Sequence, residues 1–218
     1  MCCYVLTVND QYDELIKNFL LLVKQELTVH DPQPIDSIED QHIQADNIDL
    51  FLSQTDTQVS KFSENILAHG GCAIVPYDVQ TRIVMTIPET IVSGKYSIRG
   101  SALGRKVTGS GDMTITIDNL NVIANGSFVQ PDSSLQLDSL ILGWDANDLK
   151  VHFTGLSVEG IAPDQLDEFA RSIMVTAIGG KKDKIVALAS VYIQSTINEE
   201  IAGKPLTEVI AWIKSLIH

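Results

Sequence analysis

The chain has 218 residues, of which 44% are hydrophobic and 20% are charged, and its formal net charge is −13 at pH 7. Such a length can bury a substantial core without metals or disulfides, while the negative charge disfavours nucleic acids and anionic membrane surfaces, which both need a basic face. The chain is not divided by a tract rich in Gly and Ser, by a Pro-rich run or by a block of like charges. We therefore expect one domain over residues 1–218, in which residues 1–9 are either disordered or the remnant of a signal peptide.

The first predicted element is an N-terminal amphipathic helix. Asn9 or Asp10 can cap its start, and Pro32 and Pro34 forbid its continuation. Between these limits the apolar residues recur at helical spacing, and they are Tyr12, Leu15, Ile16, Phe19, Leu22, Val23 and Leu27. The acidic stretch 36–49 that follows has no clear periodicity, and it is predicted to cross the surface as a loop and an edge strand.

From Ala73 onward the period of the hydrophobic pattern changes from that of a helix to that of a strand, so that apolar side chains recur at every second position. The positions on its apolar side are Val79, Thr81, Ile83, Met85, Ile87, Tyr96, Ile98, Met113, Ile115, Ile117, Leu120, Val122, Ala124, Leu135, Leu137, Leu149, Val151 and Phe153. The segments 118–119 and 146–148, together with several glycines, are typical of turns between short strands. Alternation with connections too short for parallel crossovers predicts an antiparallel meander that buries one face.

Three helices are predicted after the strands, over residues 163–180, 184–201 and from 206 to the end of the sequence. The helix at 184–201 is apolar on most of its faces, so it must be surrounded by other parts of the protein. It is too short and too often interrupted by polar residues to provide the ~20 apolar residues that cross a bilayer. The sheet is the available partner, and we expect it to curl around this helix.

The sequence contains none of the common signatures of catalysis or metal binding. The motifs HExxH, CxxC and GxSxG and complete dinucleotide- or phosphate-binding loops are lacking, and the five histidines are scattered. We therefore predict no catalytic residue, no metal site and no cofactor. Paired carboxylates leave no signature in a sequence, so a hydrolase of lipid esters remains a minor alternative.

Two features bear on the compartment in which the protein works. Cys72 can pair with Cys2 or Cys3 under oxidising conditions, or all three cysteines can remain free thiols, and both interpretations stay open. The tripeptide that starts at Asn125 is a glycosylation sequon, which favours secretion. We predict a secreted protein of an extracellular fluid.

Three consecutive segments carry a resemblance to a known family. They are YSIRG at 96–100, VTGSGDM at 107–113 and IDNL at 117–120, so that a Tyr-x-x-x-Gly strand precedes a Gly-x-Gly turn and an alternating strand. This order resembles the insect juvenile-hormone-binding and takeout proteins. The plan of the whole chain is also similar to mite group 7 allergens and to the lipid-binding modules of the bactericidal/permeability-increasing protein (the TULIP fold).

This resemblance implies an elongated α+β fold whose curved antiparallel sheet wraps around a long apolar C-terminal helix and leaves a tunnel for an apolar molecule. We therefore expect a non-catalytic carrier of a terpenoid hormone, a fatty acid or a carotenoid. Removing ~400 Å² of apolar ligand surface from water is worth on the order of 10 kcal/mol before the costs of association. The predicted lining consists of Phe19, Val23, Met85, Tyr96, Ile98, Met113, Ile115, Leu137, Phe153, Phe169, Ile173, Met174, Leu188 and Tyr192.

Two of these residues have a more specific predicted role, because the hydroxyl groups of Tyr96 and Tyr192 can orient a polar end of the ligand. The apolar ligand is the one partner that we predict; we expect no nucleic acid and no integral membrane association, and the sequence does not indicate an oligomeric state. The main alternative is a protein-interaction module whose core is filled by its own side chains.

Overall fold

The structure is a computed structural model that describes residues 20, 21, 24, 25, 27–64, 66–75 and 78–215, without the side chains of 71–75 and 78. These residues form one eight-stranded antiparallel sheet followed by three helices. The predicted α+β class with a curved antiparallel sheet and C-terminal helices is therefore confirmed. The predicted N-terminal helix lies largely outside the described residues, but residues 20, 21, 24, 25 and 27–29 at its end are helical.

The strands are β1 (Gln33–Ile35), β2 (Ile38–Ala45), β3 (Ile48–Ser60), β4 (Leu67–Val75), β5 (Asp78–Ala102), β6 (Arg105–Val129), β7 (Gln136–Phe153) and β8 (Leu156–Val158). Their order across the sheet is β1-β3-β5-β6-β7, with β2 also paired to β3, β4 to β5, and β8 to β6. The acidic stretch after the first helix thus forms strands at one edge of the sheet, as predicted in part.

Strands β5 and β6 form one long hairpin that carries the rest of the sheet. Each has 25 residues, which at ~3.3 Å per residue corresponds to roughly 80 Å. The two-residue turn between them is Leu103-Gly104, and both residues have positive φ, 51° and 73°. Two consecutive left-handed residues match the twist of the flanking strands, so this turn closes the hairpin without splaying it.

A transverse interruption crosses the three neighbouring strands β5, β6 and β7. Pro88 of β5, Asn119 of β6 and Asn147 of β7 lie side by side and are left out of the ladder, although the register is the same before and after them. Pro88 has no N–H to donate, and Asn119 has a φ of 50°. Asparagine tolerates this left-handed conformation better than most residues, so β6 bends here without reversing its direction.

The interruption shifts the alternation of buried residues by one position. In β5 the buried residues are Val79 and Ile87 before it, and Thr90, Tyr96 and Ala102 after it. Because successive strand residues face opposite sides, an uninterrupted strand would turn half of its apolar residues away from the helices. Because the alternation shifts by one residue in each of the three strands, their apolar side faces the helices over the whole length of the sheet.

The predicted turns at 118–119 and 146–148 are therefore wrong, because these residues lie within the continuous strands β6 and β7. Asn and Asp indicate a local departure from extended backbone, and a hairpin additionally requires the chain to pair with itself across that point. Here the flanking halves pair with neighbouring strands instead. Gly94, Gly109 and Gly111 likewise lie within strands.

The three helices agree with the prediction, and they are α1 (Leu166–Gly179), α2 (Lys182–Ile201) and α3 (Leu206–Ser215). They pack on two separate clusters of buried residues. The cluster near α1 contains Ile48, Leu50, Ala102, Val107, Val158 and Ile173. The cluster near the end of α2 and near α3 contains Leu135, Ile201 and Val209.

Helix α2 lies along β7 with its polar side chains toward the sheet. Gln194 donates hydrogen bonds from Nε2 to the carbonyl oxygens of Leu137 and Asp138, at 3.0 and 2.8 Å. Asn198 accepts one from the Leu137 N–H at 2.7 Å and donates one to its carbonyl at 3.0 Å. These bonds satisfy backbone groups at the edge of the sheet that have no neighbouring strand.

The opposite side of α2 is exposed to solvent. Leu188, Val191 and Tyr192 are 63%, 67% and 72% exposed. The sheet therefore contacts this helix from one side, and the described residues do not surround it as its composition predicts. The polar side chains explain the difference, since they bond to the sheet edge and leave the apolar residues on the far side.

We expect the interruption at Asn119 to be sensitive to side-chain type. Asn119→Val should lower the free energy of unfolding by about 1–2 kcal/mol, because a β-branched residue pays the full cost of the left-handed conformation. Asn119→Gly should be nearly neutral. Urea denaturation measures both changes, with Thr114→Val, at an exposed extended position of the same strand, as the control. Equal losses for Val and Gly would contradict the assignment.

Candidate ligand-binding cavity

An apolar cavity lies between helix α1 and the sheet. Its volume is about 50 Å³. The residues that line it are Leu50, Tyr96, Ile98, Val107, Phe153, Leu156, Val158, Phe169, Ala170, Ile173 and Met174. Apart from the hydroxyl group of Tyr96, every lining side chain is apolar. Apolar cavities of this kind exclude water and accept apolar guests.

The lining follows directly from the periodicities of the elements. Phe169, Ala170, Ile173 and Met174 are spaced by one, three and four residues along α1, which places them on one face of that helix. The strand residues alternate with outward-facing ones, as Tyr96 and Ile98 do in β5. The cavity is therefore the space where the apolar face of α1 meets the apolar side of the sheet.

Tyr96 carries the one polar group of the lining. The residue is 4% exposed, and its hydroxyl donates a hydrogen bond to the carbonyl oxygen of Thr154 at 2.9 Å. Its ring meets the Phe153 ring edge-on, with centroids 4.8 Å apart and planes at 72°. Burial raises the pKa of the Tyr96 hydroxyl. The Thr154 carbonyl therefore engages the proton of this hydroxyl.

The glycines of the resemblance motif make room for this arrangement. A Cβ at Gly109 would lie 2.8 Å from the Tyr96 hydroxyl oxygen and 3.0 Å from the Gly155 carbonyl oxygen. A Cβ at Gly111 would collide with Thr154. The two glycines therefore allow Tyr96 and the turn after β7 to come close to the backbone of β6. They do not form a turn themselves.

Hydrogen bonds hold that turn against β6. The Thr154 N–H donates to the Asp112 carbonyl at 3.0 Å, and the Thr154 hydroxyl oxygen accepts the Asp112 N–H at 2.8 Å. Together with the Tyr96 hydroxyl, these bonds fix the point where β7 ends and β8 begins. Leu156 and Val158, which line the cavity from β8, are positioned by this turn.

The structure brings together six of the residues predicted to line a ligand site, and they are Tyr96, Ile98, Phe153, Phe169, Ile173 and Met174. Met113 is buried opposite Phe153 in the neighbouring strand, and Ile115 lies two residues further along the same face. These two residues adjoin the cavity along the sheet without lining it.

The other predicted residues lie elsewhere. Met85 is beyond the interruption in the sheet, and Leu137 is buried where α2 crosses β7. Leu188 and Tyr192 are on the exposed side of α2, so the Tyr192 hydroxyl does not approach the cavity. Phe19 and Val23 are outside the described residues.

Five lining residues were missed, and they are Leu50, Val107, Leu156, Val158 and Ala170. Leu50 directly follows the acidic stretch that looked aperiodic, and the buried residues Ile48 and Leu50 flank the exposed Asp49. That short alternation was the available signal. Ala170 has no distinguishing feature in the sequence beyond its place on the apolar side of α1.

The remaining predicted sites have the following surroundings. Asn125 is half-buried within the central strand β6, and its Oδ1 accepts a hydrogen bond from Arg82 at 3.3 Å. Cys72 belongs to β4, but its side chain, Cys2 and Cys3 are outside the described residues, so their pairing stays a prediction.

Within the described ranges, no three His, Cys, Asp or Glu side chains lie close enough together to hold a metal ion. In the same ranges, no helix is long and apolar enough to cross a membrane.

The open curved sheet, the C-terminal helices and the cavity define the class, which is an α+β protein with an apolar cavity between a helix and the sheet. A family model described as "Haemolymph juvenile hormone binding protein (JHBP)" matches residues 26–211. The chain therefore belongs to this family. No curated protein sequence gave a match.

Solved structures agree with this assignment at the level of the fold. The crystal structure of Epiphyas postvittana Takeout 1 matches with a TM-score of 0.50 and 14% identity, over 82% of this chain and 81% of that one. Lipopolysaccharide binding protein matches with a TM-score of 0.36 and 11% identity, over 86% of this chain and 37% of that one. The first likeness supports the fold, and the second is too distant to support an argument.

The hydrogen bond of Tyr96 should make a measurable contribution to stability. We expect Tyr96→Phe to lower the free energy of unfolding by about 1 kcal/mol, because the ring still packs while the Thr154 carbonyl loses its donor. Tyr192→Phe, which removes an exposed hydroxyl, should change it by less than about 0.5 kcal/mol. Urea denaturation compares the two variants, and equal effects would show that the Tyr96 bond is energetically neutral.

The raised pKa of Tyr96 predicts a dependence of stability on alkaline pH. Above the ordinary tyrosine pKa of about 10, the unfolded chain loses this proton while the folded chain retains it. The contribution is thus complete below pH ~10 and is lost as the pH rises toward the folded pKa. Urea midpoints should fall more steeply above pH ~10 for the wild type than for Tyr96→Phe, and parallel curves would contradict the assignment.

Proposed function

We propose that this protein is a non-enzymatic carrier, secreted into an extracellular fluid, that binds one small apolar molecule in the cavity beneath α1. The observation that carries the proposal is the lining itself, which consists of ten residues with apolar side chains and Tyr96. Membership of the juvenile hormone binding family supports the same conclusion. Pockets for small molecules have this composition, with much apolar surface and few polar groups that orient the ligand.

The lining favours an elongated apolar ligand with at most one polar end. A terpenoid hormone, a fatty acid and a carotenoid all fit this description. We propose that the Tyr96 oxygen, whose proton is engaged by the Thr154 carbonyl, accepts a hydrogen bond from the polar end of the ligand. Met113 and Ile115 continue the apolar side of the sheet from the cavity, and we propose that a longer ligand extends over them.

Binding a ligand of this size requires the cavity to expand. Pockets for drug-sized molecules measure about 300–1,000 Å³, against about 50 Å³ here. The helix α1 is the element that can move, because the sheet side of the cavity is fixed by strand pairing. Arg171 connects α1 to β7 through a hydrogen bond from Nε to the Leu149 carbonyl at 2.8 Å. We propose that α1 moves away from β8 while this contact to β7 remains, and that Met174 adapts to the ligand.

The direct test is the recovery and uptake of ligand by the purified full chain. Native mass spectrometry and extraction with organic solvent should reveal an apolar molecule, and a stripped sample should take up a fluorescent fatty acid or juvenile hormone. An empty extract without uptake of a terpenoid, a fatty acid or a carotenoid would overturn the proposal in favour of a self-filled core. Turnover of a chromogenic ester that a single Ser or Asp substitution abolishes would favour a hydrolase.

A substitution that fills the cavity should abolish uptake. Ala170 lines the cavity, so Ala170→Phe should weaken binding by about tenfold or more by occupying the space of the ligand. Val175→Phe introduces the same side chain on the exposed side of the same helix and should leave binding unchanged. Fluorescence titration measures both affinities after circular dichroism has established folding.

Should Ala170→Phe not fold, Ala170→Leu provides a smaller increase in volume at the same position. Unchanged uptake by a folded Ala170 variant would place the ligand outside this cavity. Equal loss for the Val175 control would indicate a general effect on α1 rather than occupation of the site.

A further inference from the structure

One buried hydroxyl group of the sheet has no hydrogen-bond partner. Thr90 of β5 is 5% exposed, and among the described residues its Oγ1 is the single buried side-chain nitrogen or oxygen atom that forms no hydrogen bond. The other buried polar residues are paired, since Thr57 donates to the Thr55 carbonyl at 3.3 Å and Ser63 donates to Asp31 Oδ2 at 2.7 Å. Buried polar atoms are almost always paired in native proteins, so the exception at Thr90 indicates a partner that is not part of the chain.

Thr90 lies on the side of the sheet that faces the helices. Strand β5 pairs with β6 at every residue between the interruption and the end of the strand, so Thr90 and Tyr96, which are six residues apart, face the same side. Thr90 pairs with Ile117 of β6, which pairs in turn with Leu149 of β7. The Thr90 side chain therefore belongs to the side that lines the cavity under α1, and at ~3.3 Å per residue it is ~20 Å from Tyr96 along the strand.

An apolar strip of the sheet connects the cavity to Thr90. It consists of the pairs that β5 and β6 form on this side beyond Tyr96, which are Gly94 with Met113, Val92 with Ile115, and Thr90 with Ile117. Three of its members, Val92, Ile115 and Ile117, are only partly buried, so other parts of the protein do not cover them completely. The strip ends at the interruption, two residues beyond Thr90. Thr90 is therefore the polar residue at the far end of an apolar path that starts in the cavity.

We propose that Thr90 binds a polar group at the far end of the ligand, while the near end lies in the cavity beside Tyr96. This inference rests on the proposed carrier function and narrows it to one ligand class, an elongated apolar molecule with polar groups ~20 Å apart. The lining of the cavity alone favours one polar end, and Thr90 adds a second beyond it. A threonine hydroxyl can donate or accept, so a hydroxyl or carbonyl group of the ligand can satisfy it. A wholly apolar end would leave the Thr90 hydroxyl unpaired, and the site therefore selects against such a ligand.

The first test concerns the stability of the protein stripped of ligand. Thr90→Val replaces an unpaired hydroxyl by a methyl group of similar shape, so the urea midpoint should stay the same or rise. The control is Thr57→Val, which removes a buried hydroxyl that has a partner and should lower the midpoint. If the midpoint falls equally for both variants, the proposal is overturned, because the Thr90 hydroxyl is then already satisfied without ligand, for example by a buried water.

The second test asks whether Thr90 recognises the far end of a ligand. Hexadecanol and the hexadecanediol with a hydroxyl group at each end differ in one end alone, and their dissociation constants follow from displacement of a fluorescent fatty acid. Thr90→Val should shift the ratio of the two constants about tenfold in favour of hexadecanol, because the second hydroxyl of the diol loses its partner. Thr90→Ser keeps a hydroxyl group and should retain the wild-type ratio. Thr114→Val, at an exposed position of β6, should retain it as well.

The outcomes separate this inference from the carrier function on which it rests. An unchanged ratio in Thr90→Val would overturn the role of Thr90 and leave the carrier function intact, since the probe and both alcohols would still bind. A bound probe that neither alcohol displaces would have the same meaning. A wild type that takes up none of the apolar molecules would overturn both proposals. Should Thr90→Val not fold, Thr90→Ala removes the same hydroxyl without added volume and should give the same shift in the ratio.

Discussion

The alternation of side chains along the 25-residue strands is the constraint on which the other features depend. Two strands of this length can bury an apolar side against helices only if that side faces the helices from end to end. The interruption at Pro88, Asn119 and Asn147 meets this requirement, because it shifts the alternation of side chains in β5, β6 and β7 by one position. It separates the cluster under α1 from the cluster near α2 and α3, so the sheet supports two cores and a cavity in one of them.

Close backbone approach determines the shape of that cavity. The Tyr96 hydroxyl oxygen occupies the space that a side chain at Gly109 would need, and the same hydroxyl secures the turn at Thr154 from which β8 returns. Glycine is needed at Gly109 and Gly111 because it has no side chain, so that Tyr96 and the turn after β7 can both contact the backbone of β6.

Local patterns predicted the elements well and their connections poorly. Proline and glycine at 163 and 179–180 located α1, since these residues act on the backbone within one turn of helix. Asn119 was misinterpreted because a left-handed residue looks the same in a hairpin turn and in a bent strand. Six lining residues were predicted, three from apolar alternation in the strands and three from the apolar side of α1. Leu188 and Tyr192 were placed in the lining although apolar composition alone does not tell which side of a helix meets the sheet.

The sequence by itself determined the class of the fold, the helical and strand periods, the absence of common catalytic motifs and the glycines around Tyr96. These properties depend on residues close to one another along the chain. The tertiary structure decided which apolar residues meet beneath α1 and which remain exposed on α2. That outcome depends on the register between segments far apart in sequence, such as Asn198 with Leu137 or Tyr96 with Thr154, and no local periodicity encodes it.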